Sequence, residues 1–301
     1  MLGAVFLWSS ATPGTKSALS EIALADFVII RLSLAAVALW VIVLVTRTSA
    51  SLLRAGWRPL IMGLLEPGLV TLLVSLGLTM TSPVSASVFW GLTPLIMPIL
   101  GRVVLGERIE FVVLVAAVIA FSGTLILVWG QSHHGGGSVL GDICVASGVL
   151  ASAVNALLSR RHAQAGANPL VTSSWQLTSA CCVALLLPFL IPPGPARALD
   201  ASMQSIAVLA YLGLVVSVGV YILSNYAIRH LPVARMSLLG CLTAPFGAML
   251  SAFLLKIEVS TFDVFGVGLV VGAVALPSLA QWMRKSPNWL KPSPRQKLVR
   301  D

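Results

Sequence analysis

Three charged side chains stand inside long apolar runs of this sequence: Lys16, Arg31 and Glu66. A charge near the centre of a bilayer costs about 3 kcal/mol or more, so a charge kept there usually serves a solute, an ion or a proton. The long arms of Lys16 and Arg31 could instead carry their charges to the outer interface. Glu66 has a shorter arm, and its alternative role is a structural ion pair or a neutral buried carboxyl.

Glu66 is followed directly by Pro67 and Gly68, in the stretch "GLLEPGLV". Pro67 lacks an N–H and clashes with the preceding turn, so it should free the carbonyl of Gly63. Gly68 allows a bend or the close approach of another helix. We predict a kink beside a carboxylate that faces a central cavity, although simple kinked packing is the alternative. The same device recurs at Pro13, Gly14, Pro94, Pro98 and Pro245.

Uncharged polar and aromatic residues are the remaining candidates to line such a cavity. Each of them could equally form an interhelical hydrogen bond or an interfacial anchor. The candidates are Trp90, Asn155, Trp175, Gln176, Tyr211, Tyr221 and Asn225.

Neither a metal nor a cofactor is expected, and the pattern disfavours an enzyme. The four cysteines fall inside apolar runs without metal-ligand spacing, and the four histidines lie in loops or at the ends of runs. No run places a histidine beside a serine, a cysteine or an acid, as an intramembrane hydrolase would require.

The composition is that of a membrane protein. Of 301 residues, 57% are hydrophobic and only 10% are charged, whereas an ordinary soluble domain is about a quarter charged. Apolar runs near 20 residues match the bilayer core. We therefore predict an all-α membrane protein with ten transmembrane helices. The runs cover 2–20, 24–46, 59–78, 82–101, 108–129, 139–159, 169–191, 205–227, 233–254 and 261–282.

The loop charges predict the orientation, because Lys and Arg accumulate on the cytoplasmic side. The segments that follow every second run are rich in arginine, whereas the opposite loops hold only Arg197 and Lys256. Both termini should therefore be cytoplasmic in a multi-pass protein of the bacterial inner membrane. The net charge of +9 then reflects topology and a basic tail at 283–301, and no nucleic-acid partner is expected.

Two stretches 151 residues apart resemble each other: "PLIMPILGRVVLGE" at 94–107 and "PFGAMLSAFLLKIE" at 245–258. Each begins with a proline near the middle of a run and ends with a glutamate just beyond it. An offset of five runs reverses the direction across the membrane, which is the signature of inverted-repeat transporters. We predict two inverted five-helix repeats, at 1–130 and 139–282.

The sequence resembles the EamA-like family of the drug/metabolite transporter superfamily over essentially its whole length. The matching stretches are "FVIIR", "LEPGL" with "SLGLTMTSPVSAS", "LTPL", "LGERI", "LTAPFGAML" and "LLKIEV". The second half departs from the pattern, because Lys256 to Val259 stand where the first half has Gly106-Glu107-Arg108. The resemblance implies a secondary transporter, often an exporter of amino acids, metabolites or toxic compounds.

Two functions from different classes follow. The first is a transporter of small solutes that cycles by alternating access, with protons as one option for the coupling ion. The second is a non-transporting membrane scaffold or sensor, although a sensor usually needs a soluble output domain and none is predicted.

Small residues in "AVIAFSG" (117–123) and "GVGLVVG" (266–272) predict close helix packing. That packing fits either a monomer or a homodimer in the lipid bilayer.

Overall fold

A computed structural model describes residues 1–48, 56–81, 83–129, 138–190, 201–255 and 261–285. Within these ranges every regular element is a helix, which confirms the all-α prediction. The helices are α1 (Leu2–Leu19), α2 (Leu24–Val45), α3 (Arg58–Leu78), α4 (Pro83–Gly91, then Thr93–Leu105), α5 (Phe111–Trp129), α6 (Val139–Gln164), α7 (Pro169–Ala184, then Leu187–Leu190), α8 (Met203–His230), α9 (Val233–Gly240, then Thr243–Leu255) and α10 (Thr261–Lys285).

Several helices have the length and composition to cross a membrane. In the described ranges, α2, α3, α6, α7 and α8 satisfy both conditions, and shorter apolar stretches lie in α4, α5, α9 and α10. Large apolar side chains cover the outside, among them Phe189 and Phe253, which are 85% and 82% exposed. An outer surface of this kind is stable against lipid, not water.

Two kinds of helix irregularity each occur twice, five helices apart. In α3 the helical path is broken at Glu66 (φ −143°, ψ 121°), within a π-helical turn at Leu64–Leu69. A second π-helical turn lies in α8 at Leu212–Ser217. Both are called wide turns below. In α4 the break falls at Leu92, just before Pro94, and in α9 it falls between Gly240 and Thr243, just before Pro245. A proline fits the first turn of a helix because no N–H is needed there.

The proline of the first helix does not interrupt the helix. α1 is one continuous helix through Pro13 and Gly14. A Cβ at Gly14 would lie 3.3 Å from Cγ1 of Val208 and 3.5 Å from Cδ2 of Leu212. Gly14 therefore serves packing against α8. Pro98 likewise lies buried inside the second part of α4.

α3 crosses α7 at Gly63 with almost no space between the two backbones. A Cβ at Gly63 would lie 2.1 Å from the carbonyl oxygen of Gln176 and 2.2 Å from Oγ of Ser179. One turn later, a Cβ at Gly68 would lie 2.9 Å from the carbonyl oxygen of Gly63. Both positions therefore require glycine, and the crossing fixes the place of Glu66 between them.

The last helices of the two predicted halves pack along each other. A Cβ at Gly123 in α5 would lie 3.0 Å from the carbonyl oxygen of Gly266, and a Cβ at Gly266 in α10 would lie 2.9 Å from that of Gly123. The close packing predicted from the two small-residue stretches thus occurs within one chain. At Gly268 and Gly272, in contrast, a Cβ would meet no neighbouring atom within 4 Å in the described part of the chain.

Candidate functional site

A cavity of about 610 Å³ lies among α1 and α3 to α9. Its size is in the range of about 300–1,000 Å³ that small-molecule sites usually have. Its wall combines Glu66 from the first predicted half with Asn155, Tyr221 and Asn225 from the second. A solute inside it would therefore contact both halves.

Glu66 is held in the wall of this cavity by neutral groups. Its Oε2 accepts hydrogen bonds from Oγ of Ser152 (2.9 Å) and from Nδ2 of Asn155 (3.1 Å). Both bonds go to the same oxygen, which leaves Oε1 without a partner among the described residues. Glu66 and Arg31 do not form an ion pair, and neither described ion pair includes a residue of the cavity wall. The carboxylate is thus separated from the charges that a structural ion pair would need.

Six of the ten predicted pathway residues line the cavity, together with one of the predicted kink residues. Gln176, Asn225 and Ser173 form a buried network, because Nδ2 of Asn225 donates to Oε1 of Gln176 (2.6 Å) and to Oγ of Ser173 (2.9 Å). The lining residues from the prediction are Glu66, Trp90, Asn155, Gln176, Tyr221, Asn225 and Pro94.

Arg31 lies outside the cavity. Its Nε donates a hydrogen bond of 2.9 Å to Oγ of Ser217, at the end of the wide turn in α8. Tyr221 is within electrostatic range of both Arg31 and Glu66. Arg31 therefore joins α2 to α8 and does not line the cavity.

Two predicted aromatic residues also face elsewhere. Trp175 packs edge to face on Trp40 in α2, with ring centroids 5.1 Å apart. Tyr211 is 41% exposed, and its hydroxyl lies 3.0 Å from Oγ of Ser10. These contacts join α7 to α2 and α8 to α1. The side chain of Lys16 falls outside the described part of the chain.

Ser152 and Ser159 line the cavity but were not predicted to do so. Ser152, Asn155 and Ser159 all border the cavity, and their spacing of three and four residues places them on one face of α6. That spacing was the available signal for Ser152 and Ser159. Two buried oxygens of lining residues, Oγ1 of Thr93 and Oδ1 of Asn155, have no hydrogen-bond partner in the described structure. Cys241 contributes a free thiol to the wall.

A charged cluster adjoins the cavity wall. Oε1 of Glu107 accepts from Nε of Arg160 (2.9 Å), and its Oε2 accepts from the backbone N–H of Val233 (3.1 Å). Arg160 also donates to the carbonyl oxygen of Ile228. Ile228 and Val233 belong to the cavity wall, as does Ser159 next to Arg160. Arg160 was not among the residues predicted from the sequence to line a cavity.

Glu107 therefore connects the end of α4 to α6 and α9, and Arg160 extends the connection to α8. The cluster thus joins the two predicted halves. The Glu107 and Arg160 side chains are only 14% and 10% exposed. A second pair, Arg235 with Glu110, lies nearby on the more exposed side, at 28% and 48%.

Comparisons with known proteins agree with this architecture. The model of the EamA-like transporter family matches residues 1–129 and 139–279. An uncharacterized transporter of Bacillus subtilis (strain 168), YyaM, is 26% identical over 205 residues. That match covers 67% of this chain and 66% of YyaM, so the chain spans just under two thirds of the length of that relative.

One solved crystal structure, described only as that of a protein, superposes with a TM-score of 0.77 at 17% sequence identity. The superposition covers 93% of this chain and 96% of the other. At this identity the likeness establishes the fold alone.

Proposed function

The chain belongs to the EamA-like transporter family, and from that premise we propose a secondary-active transporter that exports small metabolites or drug-like compounds by alternating access. One observation carries the proposal. A carboxylate, Glu66, is held by neutral side chains in the wall of a cavity of about 610 Å³ that both halves of the chain enclose. Small solutes would be bound there from one side of the membrane and released to the other.

We also propose that the ten helices cross the membrane as two inverted five-helix repeats. The recurrence of the irregularities supports this, because α3 and α8 share a wide turn and α4 and α9 share a break. The contacts between helices also recur at an offset of five helices. α3 packs on α6 and α7 of the other half, and α8 packs on α1 and α2 of the first half. The two repeats would then be 1–130 and 139–282, followed by the basic tail 283–301.

The charge bias of the loops further supports cytoplasmic termini in a bacterial inner membrane. A reporter that is active only in the periplasm should stay inactive when it is fused after Asp301. The charged cluster around Glu107 then lies at the cytoplasmic end of the cavity.

Glu66 is proposed as the group that binds a proton or the solute during the cycle. Its Oε2 accepts from Ser152 and Asn155 of α6, and the neutral side chains of Gln176 and Tyr221 line the same cavity. Arg31 on α2 lies outside the described lining. A carboxylate in this setting can exchange its proton only when the cavity is open to water, and this property ties protonation to the open state.

The function is tested by flux. Purified protein in liposomes should release small solutes in response to a pH difference, and an efflux screen in a transporter-deficient strain should find a solute that accumulates on deletion. Amino acids, nucleobases and dyes form a suitable panel. If no solute moves and none raises the melting temperature, the chain is a scaffold or sensor instead of a transporter.

The Glu107 cluster should act as the cytoplasmic closure of the cavity. Glu107→Gln removes one charge of a buried pair and leaves Arg160 uncompensated, which typically costs about 3–5 kcal/mol. We therefore expect this variant to favour the state that is open to the cytoplasm. An impermeant maleimide added on the cytoplasmic side, with the other three cysteines replaced, should alkylate Cys241 at least about tenfold faster.

Glu110→Gln is the matched control, because it makes the same change in the more exposed pair, and such pairs contribute only about 0–1 kcal/mol. Its labelling rate should equal that of the parent. Equal rates in Glu107→Gln and the parent would show that the cluster does not close the cavity.

A further inference from the structure

The charge of the cavity wall limits which solutes can bind. The described lining contains one acidic side chain, Glu66, and no side chain of Lys, Arg or His. The nearby guanidinium groups have other partners. Arg31 donates to Ser217, and Arg160 donates to Glu107 and to the carbonyl oxygen of Ile228. The described side chains of the wall therefore supply one carboxyl group and no cationic group.

Three atoms in the described wall that can accept a hydrogen bond have no partner. Oε1 of Glu66 has no partner, and the buried Oδ1 of Asn155 and Oγ1 of Thr93 also lack a hydrogen bond. Asn155 is 6% exposed. Its Nδ2 is already used on Glu66. Buried polar atoms without partners are costly, so a ligand that brings N–H donors would satisfy groups that the protein leaves unsatisfied.

The rest of the wall is aromatic and apolar. Trp8, Trp90 and Tyr221 contribute rings, and Met97 and Met236 contribute flexible thioethers. The face of an aromatic ring attracts a cation, and tryptophan binds cations more strongly in this way than tyrosine or phenylalanine. Methionine side chains adapt to apolar bodies of different shapes. The wall thus offers a negative centre and cation-binding rings around a space for an apolar body.

We propose that the solute is an organic cation, an ammonium or a delocalised positive group on an aromatic or aliphatic body. This inference rests on the proposed transport function and names the class of its substrate. A zwitterionic amino acid would place its carboxylate in a buried wall that offers no basic side chain in the described residues. Burying a charge without a partner is strongly unfavourable.

Three compounds with the same phenyl body test the charge directly: phenethylamine, phenylalanine and 3-phenylpropionate. Binding to the purified full-length chain is measured by calorimetry and by thermal shift, with tetraphenylphosphonium as a permanent cation. We expect phenethylamine to bind at least about tenfold more tightly than the other two, a difference of about 1.4 kcal/mol. Tetraphenylphosphonium should compete with it.

Two variants locate the site. Glu66→Gln should erase the preference for phenethylamine, and Trp90→Leu should weaken both cations about threefold to thirtyfold through the lost ring. Glu21→Gln is the control, because Glu21 lies between α1 and α2 and accepts a hydrogen bond from the backbone N–H of Ser202. It should bind like the parent. If Glu66→Gln does not fold, two other results decide the proposal. They are the order of affinities of the three phenyl compounds for the parent and the loss of cation affinity in Trp90→Leu.

Equal or tighter binding of phenylalanine or 3-phenylpropionate would overturn the proposal, and loss of that binding in Lys16→Gln would identify Lys16 as the carboxylate partner. The two proposals fail in different ways. If zwitterions or anions are transported while the cations neither bind nor compete, the cation class is wrong and the transporter remains. If the cations bind but no solute moves, the site remains and the transporter is wrong.

Discussion

Glu66→Gln is expected to reduce pH-driven flux to the level of liposomes without protein, while the protein remains folded. The amide is nearly isosteric with the carboxylate, and its oxygen can still accept from Ser152 and Asn155, which now donate to Oε2. The variant cannot bind or release a proton. Exchange of labelled for unlabelled solute needs no net proton movement, so it should decrease less than net flux. Both rates are measured on the same liposomes.

The control is Glu21→Gln, which makes the same chemical change outside the cavity. Hydrogen bonds from Ser202 lower the pKa of Glu21, so its carboxylate is ionised at neutral pH and the variant also removes a charge. Its flux should equal that of the parent. Normal pH-dependent flux in a stable Glu66→Gln protein would show that Glu66 does not couple transport to protons. A large decrease in melting temperature that Arg31→Gln reverses would instead indicate a structural charge pair.

The second large effect is expected at Gly63, where Ala should destabilise the fold by about 3 kcal/mol or more. A Cβ there would lie 2.1 Å from the carbonyl oxygen of Gln176 and 2.4 Å from its Cα. Overpacking usually costs about 1–3 kcal/mol. Here the obstacle is backbone, which cannot rotate away as a side chain can, so α3 and α7 must separate. The melting temperature and the yield of monodisperse protein measure the effect.

Gly272→Ala is the matched control, since a Cβ at Gly272 in α10 would meet nothing within 4 Å among the described residues. Ala is favoured over Gly in a helix by about 0.5–1 kcal/mol, so this variant should melt at the same temperature as the parent or slightly above it. A Gly63→Ala protein with the yield and melting temperature of the parent would contradict the close crossing of α3 and α7.

The sequence predicted the helices and the acid of the cavity because these follow from local properties. Apolar runs determine where helices form, and a carboxylate in such a run needs a polar surrounding. The direction in which a side chain faces was harder to predict. Trp175 and Gln176 are neighbours on α7, and successive residues of a helix are about 100° apart. Gln176 lines the cavity, whereas Trp175 packs on Trp40 of α2.

Other features could not be predicted because they depend on contacts between distant segments. The wide turn at 212–217 changes the rotation of α8, so that Tyr221 lines the cavity and Tyr211 lies on the outside. Arg31 finds its partner in Ser217 of this turn. The pair of Glu107 and Arg160 joins residues from different halves, and nothing in either local sequence indicates the other.

The cavity wall has a single acidic side chain among its described residues, and the wide turn of α8, "LGLVVS", carries no acid. If Glu66 exchanges one proton for one monovalent organic cation, as we propose, the exchange would move no net charge across the bilayer. The membrane voltage would then neither drive nor oppose transport. The steady-state concentration ratio of the solute would depend on the pH difference alone, about tenfold for each pH unit.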